Sequence, residues 1–281
     1  MRLSIFDQWG AGNSGPVWAA FRAGLDRLGL EYSSHDTSAD VAVIWSVVWA
    51  GRMRQNRTVW EQFRRSQRPV VVLEVGTLRR GNTWKMGVNG LGRGAYWGDE
   101  FDHSRVQLLG IKPRPWRSSG QDIVIVQQRG DSEQWQGLPP TGQWLADTVA
   151  QLRNYTNRTI RVRRHPRQTL QAPAGCVVDI PHRLPNAYDD FDLDTSLSTA
   201  WAVVNANSGA GVSAVLQGIP LFCYESSLAS TVGNLDWCQI EQPHMPDRRD
   251  WLTLLAHTEW TTEEIASGYP IKRLLRGLES L

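Results

Sequence analysis

Residues 203–223 read VVNANSGAGVSAVLQGIPLFC. An apolar run, 202–204, breaks into a small polar turn over 205–211. It resumes with helical spacing over 212–217, stops at Gly218, and passes through Pro220 into the apolar 221–223. Strand, Gly/Ser turn, helix, glycine C-cap and strand make one βαβ unit. A small-residue turn entering a helix leaves backbone N–H groups at the positive end of the helix dipole, where phosphate or pyrophosphate can bind. A plain βα turn with glycines for tight packing reads the same way, so this stretch sets the fold class before it sets a ligand.

Around that unit, the bulk properties narrow the class. The 281 residues are 41% hydrophobic and 21% charged, enough for one large or two small globular domains. No apolar run reaches membrane-spanning length, and the opening MRLSIFDQWG reads as a strand and not as a signal peptide. Cys176, Cys223 and Cys238 have no metal-ligand spacing, and so sparse and odd a count points to a reducing, cytoplasmic setting. A net charge of +2 excludes a general polycation. Of 30 basic residues, all but Lys85, Lys112 and Lys272 are arginine, whose planar fork matches phosphate and stacks on bases; coding bias gives the same skew. Fourteen tryptophans, eight of them before residue 117, are core or platforms for sugars and bases.

The first half repeats the strand–loop–helix order. Residues 2–6 form a strand with Asp7 at its end. GAGNSG follows at 10–15 and includes Asn13, and a helix runs over 17–28 to Gly29. The turn has the G-x-G-x-x-G form, and Asp36 follows a weak strand at 30–32. A dinucleotide site and a glycine-rich loop lining an active site both fit. A strand over 41–48, an arginine-rich amphipathic helix over 52–67 and a buried strand over 69–73 come next. Glu74 ends that strand on the sheet's carboxyl edge, where ligands of α/β sheets sit; it is a general-base candidate or a partner for Arg79 or Arg80. Residues 76–97 hold six glycines, three arginines, one lysine and two tryptophans without a period, and read as a long functional loop. Its cations and rings, Arg79, Arg80, Trp84, Lys85, Arg93 and Trp97, suit a polyanionic or sugar-bearing acceptor. A last strand is expected at 106–111, and KPRPWRSSG at 112–120 reads as a linker.

The second half restarts with a strand at 122–127, a loop holding Gln128, Arg129 and Asp131, and a helix over 141–154. The strand at 159–162 runs into Arg163, Arg164, His165, Pro166 and Arg167; five of the ten residues 158–167 are arginine. A strand at 176–178 ends at Asp179, and a short helix over 193–200 is expected to be capped by Asp192 or Asp194. Helical segments follow at 251–257, from Thr261, and over 271–281. The fold class is therefore α/β: two Rossmann-like domains, 1–115 and 120–255, facing one cleft, with C-terminal helices in 256–281, the last packing back on the first domain.

Three stretches resemble a known family. LEVGTLR at 73–79 resembles the E-x-G-x-L-R element of the capsule-polysaccharide and Kdo-transferase-like branch of glycosyltransferases with the GT-B fold. RHPR at 164–167 resembles that branch's strand-ending His-Pro. NSGAGVSA at 207–214 with GIP at 218–220 resembles its S-x-x-G-x-E-A…G-x-P donor-site element, with Ser213 where a glutamate is usual. Residues 127–132 are a looser match to its Q-x-x-x-D loop.

The resemblance implies a UDP- or CMP-linked nucleotide-sugar as co-substrate in the second half, an acceptor in the first, and neither metal nor tightly held cofactor. Donor contacts are expected from Gln128, Arg129, Arg164, His165, Arg167, Ser208, Gly209, Gly211 and Ser213, and acceptor contacts from Asn13 and the 76–97 cations and rings. The two carboxylates of Asp190-Phe191-Asp192 sit in a polar loop before a helix and read as caps, not metal ligands. Glu74 is the first choice of base, Asp7 the second and Asp131 the third. The reading leans towards a hydroxymethylated base in duplex DNA, as in phage genomes, over a lipid-linked or surface glycan. A Rossmann-type epimerase or dehydrogenase using GAGNSG, and a non-catalytic nucleic-acid or glycan-binding protein, remain alternatives.

Overall fold

The computed structural model describes residues 1–169, 171–185 and 190–278. In chain order the elements are β1 (Leu3–Phe6), α1 (Gly15–Leu28), β2 (Tyr32–Ser34), β3 (Val41–Trp45), α2 (Asn56–Arg65), β4 (Val70–Val75), β5 (Trp84–Val88) and α3 (Ser104–Leu108). Then come β6 (Asp122–Val126), α4 (Thr141–Arg153), β7 (Thr159–Arg163), β8 (Val177–Asp179), α5 (Leu193–Ser196), β9 (Ala200–Val204), α6 (Gly209–Leu216), β10 (Leu221–Phe222), α7 (Arg249–Ala256), β11 (Glu259–Trp260), α8 (Thr262–Ala266) and α9 (Tyr269–Leu278). The chain divides into two compact units: Met1–Ile111 with Asp131–Gln134 and everything from Leu252, and Lys112–Gly130 with Trp135–Trp251.

The first unit is built on a six-stranded sheet of order β11-β5-β4-β3-β1-β2. β2, β1, β3 and β4 are parallel, and β5 and β11 add an antiparallel margin. The apolar run VAVIW of β3 is buried on both faces, as a central parallel strand must be. α1 places Val17, Trp18, Phe21 and Leu25 on the sheet face formed by Leu3, Ile5, Val41, Val43, Trp45, Val71 and Leu73. Ile271, Leu274 and Leu275 of α9 complete the same core. Arg105 holds the returning chain: its guanidinium bonds Ala256 O (2.6 Å) and Glu259 O (3.0 Å), pairs with Glu264 and lies 3.8 Å over the Trp260 ring.

The second unit is a five-stranded sheet of order β10-β9-β6-β7-β8, parallel throughout. β6 is its middle strand. The chain steps outward through α4 to β7 and β8, then returns to the other side of β6 for β9, α6 and β10. The winding direction therefore reverses between β6 and β9. The Val203–Cys223 unit falls out as its local signals require. Gly218, at φ +74° one residue past the C-cap Gln217 of α6, occupies a left-handed position, and a Cβ there would lie 2.0 Å from Pro115 O.

The structure corrects several expected elements. The 76–97 stretch is not one loop: WKMGV folds as the fully buried β5, with Trp84 packed 5.8 Å from Trp45. Flanking glycines hid a strand that only the edge of β4 could order. Residues 106–111 hold no strand; Ser104–Leu108 is helical and Arg105 faces the core. The strand expected over 41–48 ends at Trp45, because Ser46 takes φ +64°. The helix expected over 52–67 splits into a 3-10 turn, Gly51–Gln55, and α2. The helix expected over 193–200 stops at Ser196, since Ala200 begins β9.

Candidate functional site

The carboxyl edge of a parallel sheet at its reversal point is where α/β proteins bind ligands. In the second unit that edge is rich in amides. Beyond β6, Gln127 extends the ladder through its N–H to Arg163 O (2.9 Å). Its side chain spans the next loop, donating from Nε2 to Thr169 O (3.2 Å) and accepting at Oε1 from the His165 N–H (3.0 Å). Gln128 turns the other way and pairs reciprocally with Asn207, which also donates from Nδ2 to Ser226 Oγ (2.9 Å).

Past β9, the buried Asn205 donates from Nδ2 to Ser208 Oγ. Ser208 is the N-cap residue of α6, extended at φ −81°, ψ 165°, and its side chain makes no capping bond. The Gly211 N–H turns back to Ser208 O (3.0 Å), and no side-chain cap covers the start of this eight-residue helix, an arrangement suited to an anionic ligand. Asn205 Oδ1 is buried without a partner, and a Cβ on Gly211 would come within 3.0 Å of it. A side chain there would crowd that amide and Leu221, so glycine gives the first turn of α6 its close approach. Ser213 stands half-buried one turn along, its hydroxyl 3.4 Å from Gly209 O.

The arginines in and after β7 fall into two groups. Arg161 and Arg163 belong to a buried network: Arg161 reaches Asp122 (2.6 Å) and Asp179 (2.7 Å), and Arg163, 3% exposed, reaches Asp179 (3.1 Å) and Asp192 (2.6 Å). Burial alone would raise the Asp192 pKa. The Arg163 bond and the His182 N–H outweigh it and hold this carboxyl below the usual range. Asp192 is thus an ion-pair partner and makes no side-chain capping bond to α5, and Asp194 bonds Gln217 Nε2 (2.8 Å). Asp192 therefore holds the expected N-cap position of α5 through its backbone, its carboxylate being drawn to Arg163, while Asp194 lies in the first turn and bonds an amide.

Arg164 and His165 follow directly on the carboxyl end of β7. The Arg164 N–H is held by Asp179 O (2.9 Å), and its buried Nε has no hydrogen-bond partner. His165 Nδ1 accepts from the Arg167 N–H (3.1 Å), which leaves Nε2 to carry the proton of the neutral ring. Arg167 is exposed and Arg129 half-buried.

The remaining expected residues lie in the first unit. Glu74, half-buried near the end of β4, accepts at Oε1 from the Val75 N–H (2.8 Å) and stands directly across the ladder from Lys85. Asp7 is engaged by Arg22 (2.7 Å) and by His35 (3.5 Å). The carbonyl of Asp131 accepts from the Trp49 N–H (2.6 Å), and the residue groups with the first unit, not with Gln128 and Arg129. Asn13 keeps its Oδ1 buried without a partner in the turn before α1. Arg79 bonds Leu109 O, and Arg80 and Arg93 are exposed.

Trp84, Trp97 and Lys85 correct the acceptor set. They are 5%, 4% and 8% exposed, packed on or beside the antiparallel margin, so neither ring offers a face to a ligand. Asp36 closes a local turn on the N–H (2.8 Å) and hydroxyl (2.7 Å) of Ser38, so its carboxylate is committed away from the ribose contact a dinucleotide site requires.

Two features escaped the sequence. Asn205, Asn207 and Gln127 form the amide frame of the edge; their signal was polar residues directly after fully apolar strands. Glu259 is fully buried and accepts from the Thr77 N–H (2.6 Å), the Leu78 N–H (3.0 Å) and Thr83 Oγ1 (2.7 Å), fixing the turn after β4. Nothing local marks it, since its partners lie some 180 residues earlier.

No protein-family model matches this sequence, and no curated protein matches it. Among solved structures the chain is similar to Thermosulfurimonas dismutans KpsC, beta Kdo 2,7 transferase, at 14% identity and TM-score 0.53, covering 97% of this chain and 100% of that one. It also aligns with the beta Kdo 2,4 transferase of KpsC from the same organism (15% identity, TM-score 0.48, 92% and 90% covered). Methanocaldococcus jannaschii UDP-GlcNAc 2-epimerase, solved with UDP-GlcNAc and UDP, aligns at 10% identity and TM-score 0.41, with 99% and 100% covered. At these identities the likeness is one of fold.

Proposed function

We propose that the protein transfers a sugar from a UDP- or CMP-linked donor to an acceptor hydroxyl. One observation carries the reading. At the reversal point of the second unit's sheet, the uncapped start of α6, the half-buried Arg164 and the Nε2 side of His165 gather on one carboxyl edge, framed by Gln127, Gln128, Asn205 and Asn207. That set suits a sugar-nucleotide phosphate, with Arg129, Arg167, Ser208, Gly209, Gly211 and Ser213 around it. In this reading side chains and helix N–H groups neutralise the leaving phosphate, and turnover persists in EDTA. Glu74 serves as the base that takes the acceptor proton. Three cysteines without disulfides fit work in a reducing compartment.

The acceptor is proposed to be a hydroxymethylated base in duplex DNA, with a lipid-linked or surface glycan as the rival. The 76–97 stretch no longer argues for it as a whole, since β5 is core. The test is a nucleotide-sugar panel incubated with plain and hydroxymethylated duplexes and with saccharide acceptors, read by mass spectrometry, beside calorimetric titration with UDP, CMP and NAD. A mass increase of one sugar on one acceptor class is expected, with UDP or CMP binding. Binding of NAD alone, or nucleotide binding without transfer to any acceptor, would overturn it.

A further inference from the structure

Two stretches of the chain each carry a net charge of +5: 158–167, with five arginines and no carboxylate, and 51–68. Residues 51–68 hold six arginines and one glutamate, a net +5, in a protein whose total is +2; the rest of the chain is net negative. These residues are the 3-10 turn Gly51–Gln55, α2 and the turn that follows.

The structure separates these cations by role. Arg68 is tied down, donating to Thr37 O (2.8 Å) and Ala39 O (2.6 Å) and lying 4.1 Å over the Phe63 ring. Arg64 lies 5.9 Å from the Trp60 ring centroid and faces the carboxyl of Glu133, whose pKa burial raises and Arg64 partly restores. Arg52, Arg54, Arg57 and Arg65 are exposed, and among the described residues the one salt bridge touching the segment is Arg57–Glu61 (2.7 Å). The contrast with Arg161 and Arg163, each shared between two aspartates, is direct. Arg57 and Arg65 lie about 12 Å apart along α2, and Arg52 and Arg54 precede them in the 3-10 turn.

We infer that this face docks on the phosphate backbone of duplex nucleic acid. Charge complementarity requires a polyanion, and two further observations choose among polyanions. Every cation is arginine, whose fork pairs with two phosphate oxygens at once. The helix also has nothing to insert into a bilayer: Val59, Trp60 and Phe63 are buried against the sheet, Met53 packs on the same unit's core, and no large apolar side chain of the segment is exposed. A membrane-surface helix keeps its apolar face for lipid. Backbone docking of this kind is independent of sequence and strongly dependent on salt. It stands on the charge distribution of the first unit and does not need the transferase reading.

The test is fluorescence anisotropy of the full-length protein with a labelled 30-bp duplex between 50 and 200 mM salt, with no nucleotide-sugar present. Three to four phosphate contacts give a log–log slope of about −3, so affinity falls about 60-fold across that range. Arg54→Gln/Arg65→Gln is expected to bind at least about 10-fold more weakly at 50 mM salt, with the slope shallower by about 2. Arg27→Gln/Lys272→Gln, which removes two exposed cations elsewhere, is expected to bind like the parent. Circular dichroism melts confirm that each variant is folded. Absence of duplex binding at 50 mM salt, equal losses in both double variants, or preference for phosphatidylserine vesicles over the duplex would each overturn the inference. Because no turnover is read, failure here is separate from failure of the glycosyl-transfer assay.

Discussion

Gln128 and Asn207 form a reciprocal amide pair across the reversal point of the second unit's sheet. Gln128 Nε2 donates to Asn207 Oδ1 at 2.6 Å, and the Asn207 N–H donates to Gln128 Oε1 at 3.2 Å. Both side chains are buried, so neither loss is made good by water. Gln128→Ala is expected to lower the unfolding free energy by about 1–3 kcal/mol, the cost of stranding a buried polar group. Nucleotide affinity should fall with it, since Asn207 leads directly into α6. Urea denaturation and calorimetry check both. A neutral Gln128→Ala on both readouts would show that the pair does not hold the edge.

Arg164 supplies the half-buried cation of that edge. Arg164→Ala is expected to weaken UDP or CMP binding by about 1.5–3 kcal/mol, the scale of a charge-assisted hydrogen bond. Arg163→Ala is expected to act differently: it strips Asp179 and Asp192 of a buried partner, so its main effect falls on stability. Melting and titration of the two variants side by side distinguish a binding arginine from a structural one.

Glu74 is the proposed base. Glu74→Gln keeps the shape and can still accept from the Val75 N–H, but it cannot take a proton. Turnover should fall about 10²-fold or more, with donor affinity and melting temperature little changed. A loss of stability with activity per folded molecule preserved would assign Glu74 to the ladder with Lys85.

Glu259 joins the last strand of the chain to the turn after β4. Glu259→Ala leaves two backbone N–H groups and the Thr83 hydroxyl without their acceptor. The expected cost is at least about 1.5–3 kcal/mol, one charged hydrogen bond. Amide exchange at Thr77 and Leu78 should accelerate more than at β3. Uniform acceleration across the unit would mean that Glu259 holds the whole tail and not this turn.

His257 makes stability of the first unit acid-sensitive. It is buried, with Nδ1 donating to Thr253 O (2.8 Å) and Nε2 accepting from the Asp102 N–H (3.4 Å). Burial lowers its pKa, aided by Arg273 and Arg105 and opposed by the Thr253 bond and Asp102. Below about pH 6.5 the unfolded chain takes up a proton that the folded ring resists, so this stabilisation is complete above that pH and declines as pH falls. Asp102, Asp192 and Glu264, whose pKa values are lowered, lose theirs only below the ordinary carboxylate range near 4. Melting temperature should therefore drop between pH 7 and about 5.5, and His257→Asn, less stable throughout, should show a smaller drop in that window.

Sequence by itself determined the elements whose signals lie within about ten residues. The run, turn, helix and glycine of Val203–Cys223 became β9, α6 and β10, and the apolar runs at Val41, Val70 and Asp122 became β3, β4 and β6. Periodicity and turn chemistry are local, and burial on both faces leaves a continuous apolar run. Tertiary structure decided what depends on neighbours distant in the chain. β5 exists because the edge of β4 accepts it, and Trp84 is core because Trp45 lies beside it. Of the arginines around β7, Asp179 and Asp192 take Arg163 out of the candidate site and leave Arg164 in it, although the two are adjacent in sequence. Alternation along a strand sends successive side chains to opposite faces, but which face meets a carboxylate is fixed only when the sheet is assembled.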